Sequence, residues 1–69
     1  MNTLKLNGTE KNFPEGLPET LSHLLRHLDI DAATVVAEVD GAIVKREDFD
    51  ATALTAGQSI ELVRFVGGG

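Results

Sequence analysis

No cysteine occurs anywhere in this chain, and at 69 residues it lies close to the lower size limit for a domain that folds without staples. Disulfides and thiolate-bound zinc are both unavailable, so stability has to come from one aliphatic core supported by consistent local signals. A second domain does not fit, and the chain reads as one domain over residues 1–66 followed by a short tail at 67–69. The same absence removes a chemical option: sulfur cannot be held here as a side-chain persulfide. It also fits a reducing compartment.

The opening reads as a hairpin. Leu4 and Leu6 alternate with Thr3 and Lys5, which places the leucines on one strand face, and Asn7-Gly8 tolerates the positive φ angles of a type I′ turn. A second strand runs to about Phe13. Pro14-Glu15-Gly16-Leu17-Pro18 breaks the pattern, and Pro18 suits a first helical turn, where its missing N–H costs nothing. Leu17, Leu21, Leu24, Leu25 and Leu28 then gather into one helical stripe that predicts packing onto a sheet. Asp29 to Ala33 forms the exit loop. Val35-Val36-Ala37-Glu38-Val39 is strand-like and closes on the turn pair Asp40-Gly41, with Ile43-Val44 as the return strand.

Lys45 to Asp50 is charged around a single Phe49, which predicts a turn of helix pinned by that ring. A turn at Ala56-Gly57-Gln58-Ser59 leads into a last strand from Ile60 to about Val66. The order ββαβββ on so short a chain predicts an α+β fold of the β-grasp, ubiquitin-like type: a mixed sheet of four to five strands with one crossing helix on one face. The other face is then left open. In the last strand Ile60 and Leu62 point to the core while Glu61, Val63 and Phe65 point away, so Val63 and Phe65 are candidate partner-docking residues. The alternative is that Phe65 folds back over the sheet edge as satellite core.

Charge and composition exclude several functions. Eleven acidic against six basic residues give a net charge of −5, the basic residues are scattered, and Trp and Tyr are absent, so nucleic-acid binding is not expected. Met1 to Lys5 lacks the apolar stretch of a signal peptide and no run is long enough to span a bilayer, which predicts a cytoplasmic protein with no membrane partner. His23 and His27 stand four apart, as two metal ligands would, but lie off the leucine stripe without an evident third ligand; surface histidines are expected. Asp29, Asp31, Glu47, Asp48 and Asp50 lack the spacing of a calcium loop, so solvated charge and helix capping account for them. Ser22 and Ser59 have no recognisable base and orienting acid, and the terminal glycines lack the lysine and helix of a phosphate-binding loop. No side-chain constellation supports an enzyme, and no bound cofactor or metal is expected.

What stands out is the end. The strand-forming run Leu62-Val63-Arg64-Phe65-Val66 stops at Gly67-Gly68-Gly69, residues that are entropically costly to order and have no side chains to pack. A flexible glycine thread is expected, narrow enough for Gly67 and Gly68 to enter a partner's active site and present the Gly69 carboxylate. A frayed terminus or cloning remnant is the competing reading of the same composition.

The whole pattern resembles the ThiS sulfur carrier proteins of thiamin biosynthesis. The matching pieces, in order, are Leu4-Lys5-Leu6-Asn7-Gly8, Thr20-Leu21-Ser22-His23-Leu24-Leu25, Val35-Val36-Ala37-Glu38-Val39-Asp40-Gly41, Ile43-Val44-Lys45-Arg46, and Ala56-Gly57-Gln58-Ser59-Ile60-Glu61-Leu62-Val63 leading to Gly67-Gly68-Gly69. Two departures stand out: Asp40 where the family usually has asparagine, and Lys45 where proline is common. The resemblance implies a carrier that catalyses nothing alone. Its Gly69 carboxylate would be adenylated by a ThiF-like adenylyltransferase using Mg-ATP, then converted to a thiocarboxylate by sulfur from a cysteine desulfurase system and delivered to a ThiG-like thiazole synthase. A MoaD-like carrier for molybdopterin synthesis is an alternative with the same fold and the Gly68-Gly69 ending, while the shorter chain and Glu38-Val39-Asp40-Gly41 favour ThiS. A ubiquitin-like interaction module or modifier is the alternative from another class.

Overall fold

The computed structural model describes residues 2–65. Strands β1 (Thr3–Leu6) and β2 (Thr9–Asn12) are followed by helix α1 (Leu21–His27), then β3 (Val35–Val39), β4 (Ala42–Val44) and β5 (Ser59–Arg64). Two 3₁₀ turns, Ala32–Thr34 and Arg46–Ala51, connect them. The expected order ββαβββ is therefore present. All five strands join one mixed sheet in the order β2-β1-β5-β3-β4, with β1 and β5 parallel and the other neighbours antiparallel. With α1 covering one face, this is the β-grasp arrangement.

Both hairpins turn on the residue pairs that the sequence nominates. Asn7 and Gly8 have φ of 48° and 83°, and Asp40 and Gly41 have 50° and 87°. Two successive positive φ angles define the type I′ turn, whose twist matches that of the flanking strands. Lys45, where proline is common in the resembled family, has φ −70° and ψ 147° at the start of the Arg46–Ala51 turn. That is the φ that a pyrrolidine ring imposes, so the backbone here suits either residue.

The helix is shorter than its leucine spacing predicts, and Pro18 is not in it. Thr20 is extended (φ −132°, ψ 169°) and caps the helix, its hydroxyl accepting a hydrogen bond from the His23 N–H at 3.2 Å. The residues before the helix are held extended by a short antiparallel contact: Thr20 bridges Ala53, Leu21 N–H donates to Thr52 C=O at 2.9 Å, and Leu54 N–H donates to Glu19 C=O at 3.1 Å. Tertiary pairing thus overrides the proline signal. Leu17 still packs against the core, but from the loop.

At its other end α1 closes in a Schellman motif. Ile30 N–H donates to Leu25 C=O at 2.8 Å and Asp29 N–H to Arg26 C=O at 3.1 Å, with Asp29 in the left-handed region at φ 59°.

The core lies wholly between α1 and the sheet. Leu4, Phe13, Leu21, Leu24, Leu25, Val35, Ala37, Phe49 and Ile60 are buried, and Leu6, Val39, Val44 and Leu62 pack against them. Phe49 pins the Arg46–Ala51 turn as the sequence predicts, only 2% exposed. Phe13, just past the end of β2, is held by its N–H donating to Asn2 C=O at 2.7 Å.

β5 is clipped on both sides by turn residues. Asn7 N–H donates to Ile60 C=O at 2.9 Å, where β1 ends. The Asn7 side chain then takes over the ladder: its Oδ1 accepts from Leu62 N–H at 2.7 Å and its Nδ2 donates to Leu62 C=O at 3.2 Å. On the β3 side, Asp40 Oδ1 accepts from Ser59 N–H at 2.9 Å and Asp40 N–H donates to Ser59 C=O at 2.8 Å. A carboxylate oxygen serves there as an amide oxygen would, so Asp40 keeps the acceptor that an asparagine would bring. Replacing Asn7 by glycine keeps the turn's φ but removes both side-chain bonds. Denaturant unfolding of Asn7→Gly is expected to show a loss of about 1–2 kcal/mol, and an unchanged midpoint would contradict the clip.

Candidate functional site

Strand alternation assigns each residue of β3 and β5 to the core or to the open face of the sheet. With Val35, Ala37 and Ile60 buried, Val36, Glu38, Glu61 and Val63 must point the other way. The register sets Val36 directly opposite Val63 and Glu38 directly opposite Glu61, and on the far side Ile43 of β4 opposes Glu38. Phe65 continues the alternation past β5, its N–H donating to Thr34 C=O at 3.0 Å.

The exposed large apolar side chains of the described residues are Val36 (41%), Ile43 (70%), Val63 (59%) and Phe65 (51%). They share one face on three neighbouring strands, beside the strand that leads in sequence to the glycines. Single exposed apolar residues need no explanation, whereas a group gathered on one face suits a protein–protein contact.

The structure thus puts Val63 and Phe65 on the open face, and Phe65 is not satellite core. Val36 and Ile43 belong with them, although the sequence alone did not single them out. Gly67, Gly68 and Gly69 lie outside the described residues.

The remaining candidates are dispersed. His23 is exposed on α1 with its Nδ1 3.9 Å from Glu19 Oε1. His27 rests its ring against Phe13 at a centroid distance of 5.5 Å, and Lys11 Nζ stands 5.6 Å from the centre of the same phenyl ring. Asp31 caps the Ala32–Thr34 turn, its Oδ1 accepting from Ala33 N–H at 2.9 Å. Among the described residues no three His, Asp or Glu side chains gather as metal ligands, and no polar or charged side chain is buried. Residues 2–65 therefore offer no desolvated group of the kind that tunes a catalytic acid or base. Among the described residues no helix is long and apolar enough to cross a membrane.

If the face is a surface for partners and not part of the core, it should tolerate charge. Ile43→Asp and Phe65→Asp are each expected to change the unfolding free energy by less than about 1 kcal/mol, while Leu24→Ala costs about 2–5 kcal/mol. Collapse of the Phe65→Asp chain in a thermal melt would return Phe65 to the core.

The model of the ThiS family matches residues 4–69. The crystal structure of the thiamine biosynthesis protein ThiS from Geobacter metallireducens superposes with a TM-score of 0.84 at 32% identity, covering 97% of this chain and 99% of that one. A solution NMR structure of a thiamine biosynthesis protein from the same organism gives 0.81 at 32% identity, covering 97% of this chain and 87% of that one. A thiazole synthase from Paramagnetospirillum magneticum is 35% identical over 66 residues, 96% of this chain but 20% of that protein. The chain spans about a fifth of the length of this curated relative.

Proposed function

The chain belongs to the ThiS family, and from that membership we propose that it is the sulfur carrier for thiazole formation in thiamin biosynthesis, with Gly69 as the point of cargo attachment. The observation that carries this reading is the extent of the family match, which runs through residue 69. The glycines are thereby part of the shared pattern, which speaks against a cloning remnant. The open face with Val63 and Phe65 supplies the recognition that a carrier needs.

A carboxylate is a poor electrophile. In the proposed scheme an oxygen of the Gly69 carboxylate attacks the α-phosphorus of Mg-ATP in a ThiF-type partner and displaces pyrophosphate, leaving an acyl-adenylate. The terminal sulfur of a persulfide, formed from cysteine by a desulfurase, then attacks the carbonyl carbon and expels AMP. A second thiol of the donor cleaves the resulting acyl disulfide, closing a disulfide on the donor as it releases the thiocarboxylate. The C–S bond formed replaces a C–O bond, and Gly69 ends in a thiocarboxylate. Gly67 and Gly68, lacking Cβ atoms, pass through the partner's active site where larger residues would be obstructed. ATP binding and proton transfer belong to the partner, and the carrier acts as its protein co-substrate. A cytoplasmic location goes with this scheme.

The consuming enzyme proposed is a thiazole synthase of the ThiG type. Support comes from the Paramagnetospirillum magneticum protein, a thiazole synthase in which a segment similar to almost all of this chain makes up a fifth of the polypeptide. Where carrier and synthase share one chain, transfer between them is intramolecular and proceeds at high effective concentration. In either arrangement the carrier and the synthase have to meet, and the open face is the surface proposed for contact with partners.

Incubation with a ThiF-type enzyme, Mg-ATP and a sulfur source is expected to shift the intact mass by the oxygen-to-sulfur difference, confined to the C-terminal peptide. The shift must vanish when Gly69 is deleted; its persistence would refute the role of Gly69. In the same system Phe65→Asp is expected to weaken binding to the adenylating enzyme by at least about tenfold without unfolding the carrier, and unchanged affinity would retire the docking face.

A further inference from the structure

The open face carries a second feature that apolar docking does not explain. Glu38 and Glu61 occupy directly opposite positions on β3 and β5 and point to the same side. Directly paired positions bring Cβ atoms to about 4.5–5.5 Å, where like charges destabilise a sheet. Among the described residues neither carboxylate forms an ion pair. The ion pair found there is Glu19 with His23 on the other side of the sheet. Lys5, the basic residue of β1 on this face, stands across from Glu10 and beside Ser59, two positions back along β5 from Glu61.

The acidic pair is also bracketed by the apolar residues. Val36 and Val63 form the next pair on the same face of the same two strands, and Ile43 lies directly across from Glu38 on β4. Any surface that covers Val36, Ile43, Val63 and Phe65 must also take water from both carboxylates, and Glu38 is already half-buried. Desolvating two adjacent carboxylates without a counter-charge is strongly unfavourable.

This decides between occupants. A second copy would bring a further pair of carboxylates to the same contact, and each chain already carries a net charge of −5. We propose that the occupant is a partner protein whose apolar platform presents a guanidinium side chain between Glu38 and Glu61. An arginine suits the place better than a lysine, because its planar fork bonds two carboxylates on adjacent strands at once and sheds water more readily than an ammonium. The Glu38–Glu61 pair is then a specificity element: it weakens the isolated sheet and contact between copies, and it favours partners bearing the complementary charge. This rests on the reading of the open face as the docking surface for the adenylating partner.

The test uses Glu38→Gln, Glu61→Gln and the double variant, with binding to the ThiF-type enzyme measured calorimetrically at low and high NaCl. The expected result is a loss of about tenfold in affinity for each single variant and a much reduced salt dependence for the double variant. Unfolding midpoints should stay unchanged or rise, which separates this outcome from a folding defect. A double variant that binds as tightly as the parent, with the same salt dependence, overturns the proposal. Phe65→Asp tells the two readings apart: if it weakens binding and the glutamine variants do not, the docking face stands and the guanidinium contact falls. If neither weakens binding, the docking face itself falls.

Discussion

β5 lies between a parallel neighbour and an antiparallel one, and its alternation sets both surfaces of the sheet. Ile60 and Leu62 go to the helix side, while Glu61, Val63 and then Phe65 go to the other. One helix can cover one face of a five-stranded sheet, and the described residues form one α-helix. The second face is therefore solvent-facing by construction of the fold, and its side chains are available to a partner. The register of β5 against β3 brings Val36 to Val63 and Glu38 to Glu61; a slip of one residue would send the apolar set to the core side and undo both surfaces.

The chain fixes that register largely through its turns. Asn7 and Asp40 each adopt a left-handed backbone at a type I′ turn, and each then uses its side chain to hold a backbone group of β5. Asn7 does the larger share. β1 has only four residues, and the amide of Asn7 extends its ladder by pairing with Leu62 as a further strand residue would. A short sheet with no disulfide gains order at the point where the strand passes toward the glycines.

Much of this was legible in the sequence because it rests on local signals. Asn7-Gly8 and Asp40-Gly41 announce their turns, the alternation of β5 announces Val63 and Phe65, and Phe49 stands alone in a charged segment that it duly anchors. The misreadings have a common origin in contacts between distant segments. Pro18 has a reasonable helix-start signal, but pairing of Glu19 to Leu21 with residues 52–54 keeps the chain extended until Thr20 caps α1. Val36 is hidden in the continuous apolar run Val35-Val36-Ala37, where nothing marks the outward residue until the pairing with β5 is known. Ile43 depends in turn on the register of β4 against β3. The clip from Asn7 reaches a residue 55 positions away, and a turn signal does not reveal such a partner.

On the proposed function, binding belongs to the open face and modification to Gly69. Affinity of a chain lacking Gly69 for the ThiF-type enzyme, measured in the absence of ATP, tests this division most directly. If the open face supplies recognition, the truncated chain binds within about threefold of the full chain although it cannot be charged. Loss of binding on removal of that single glycine would contradict the division and move recognition to the tail.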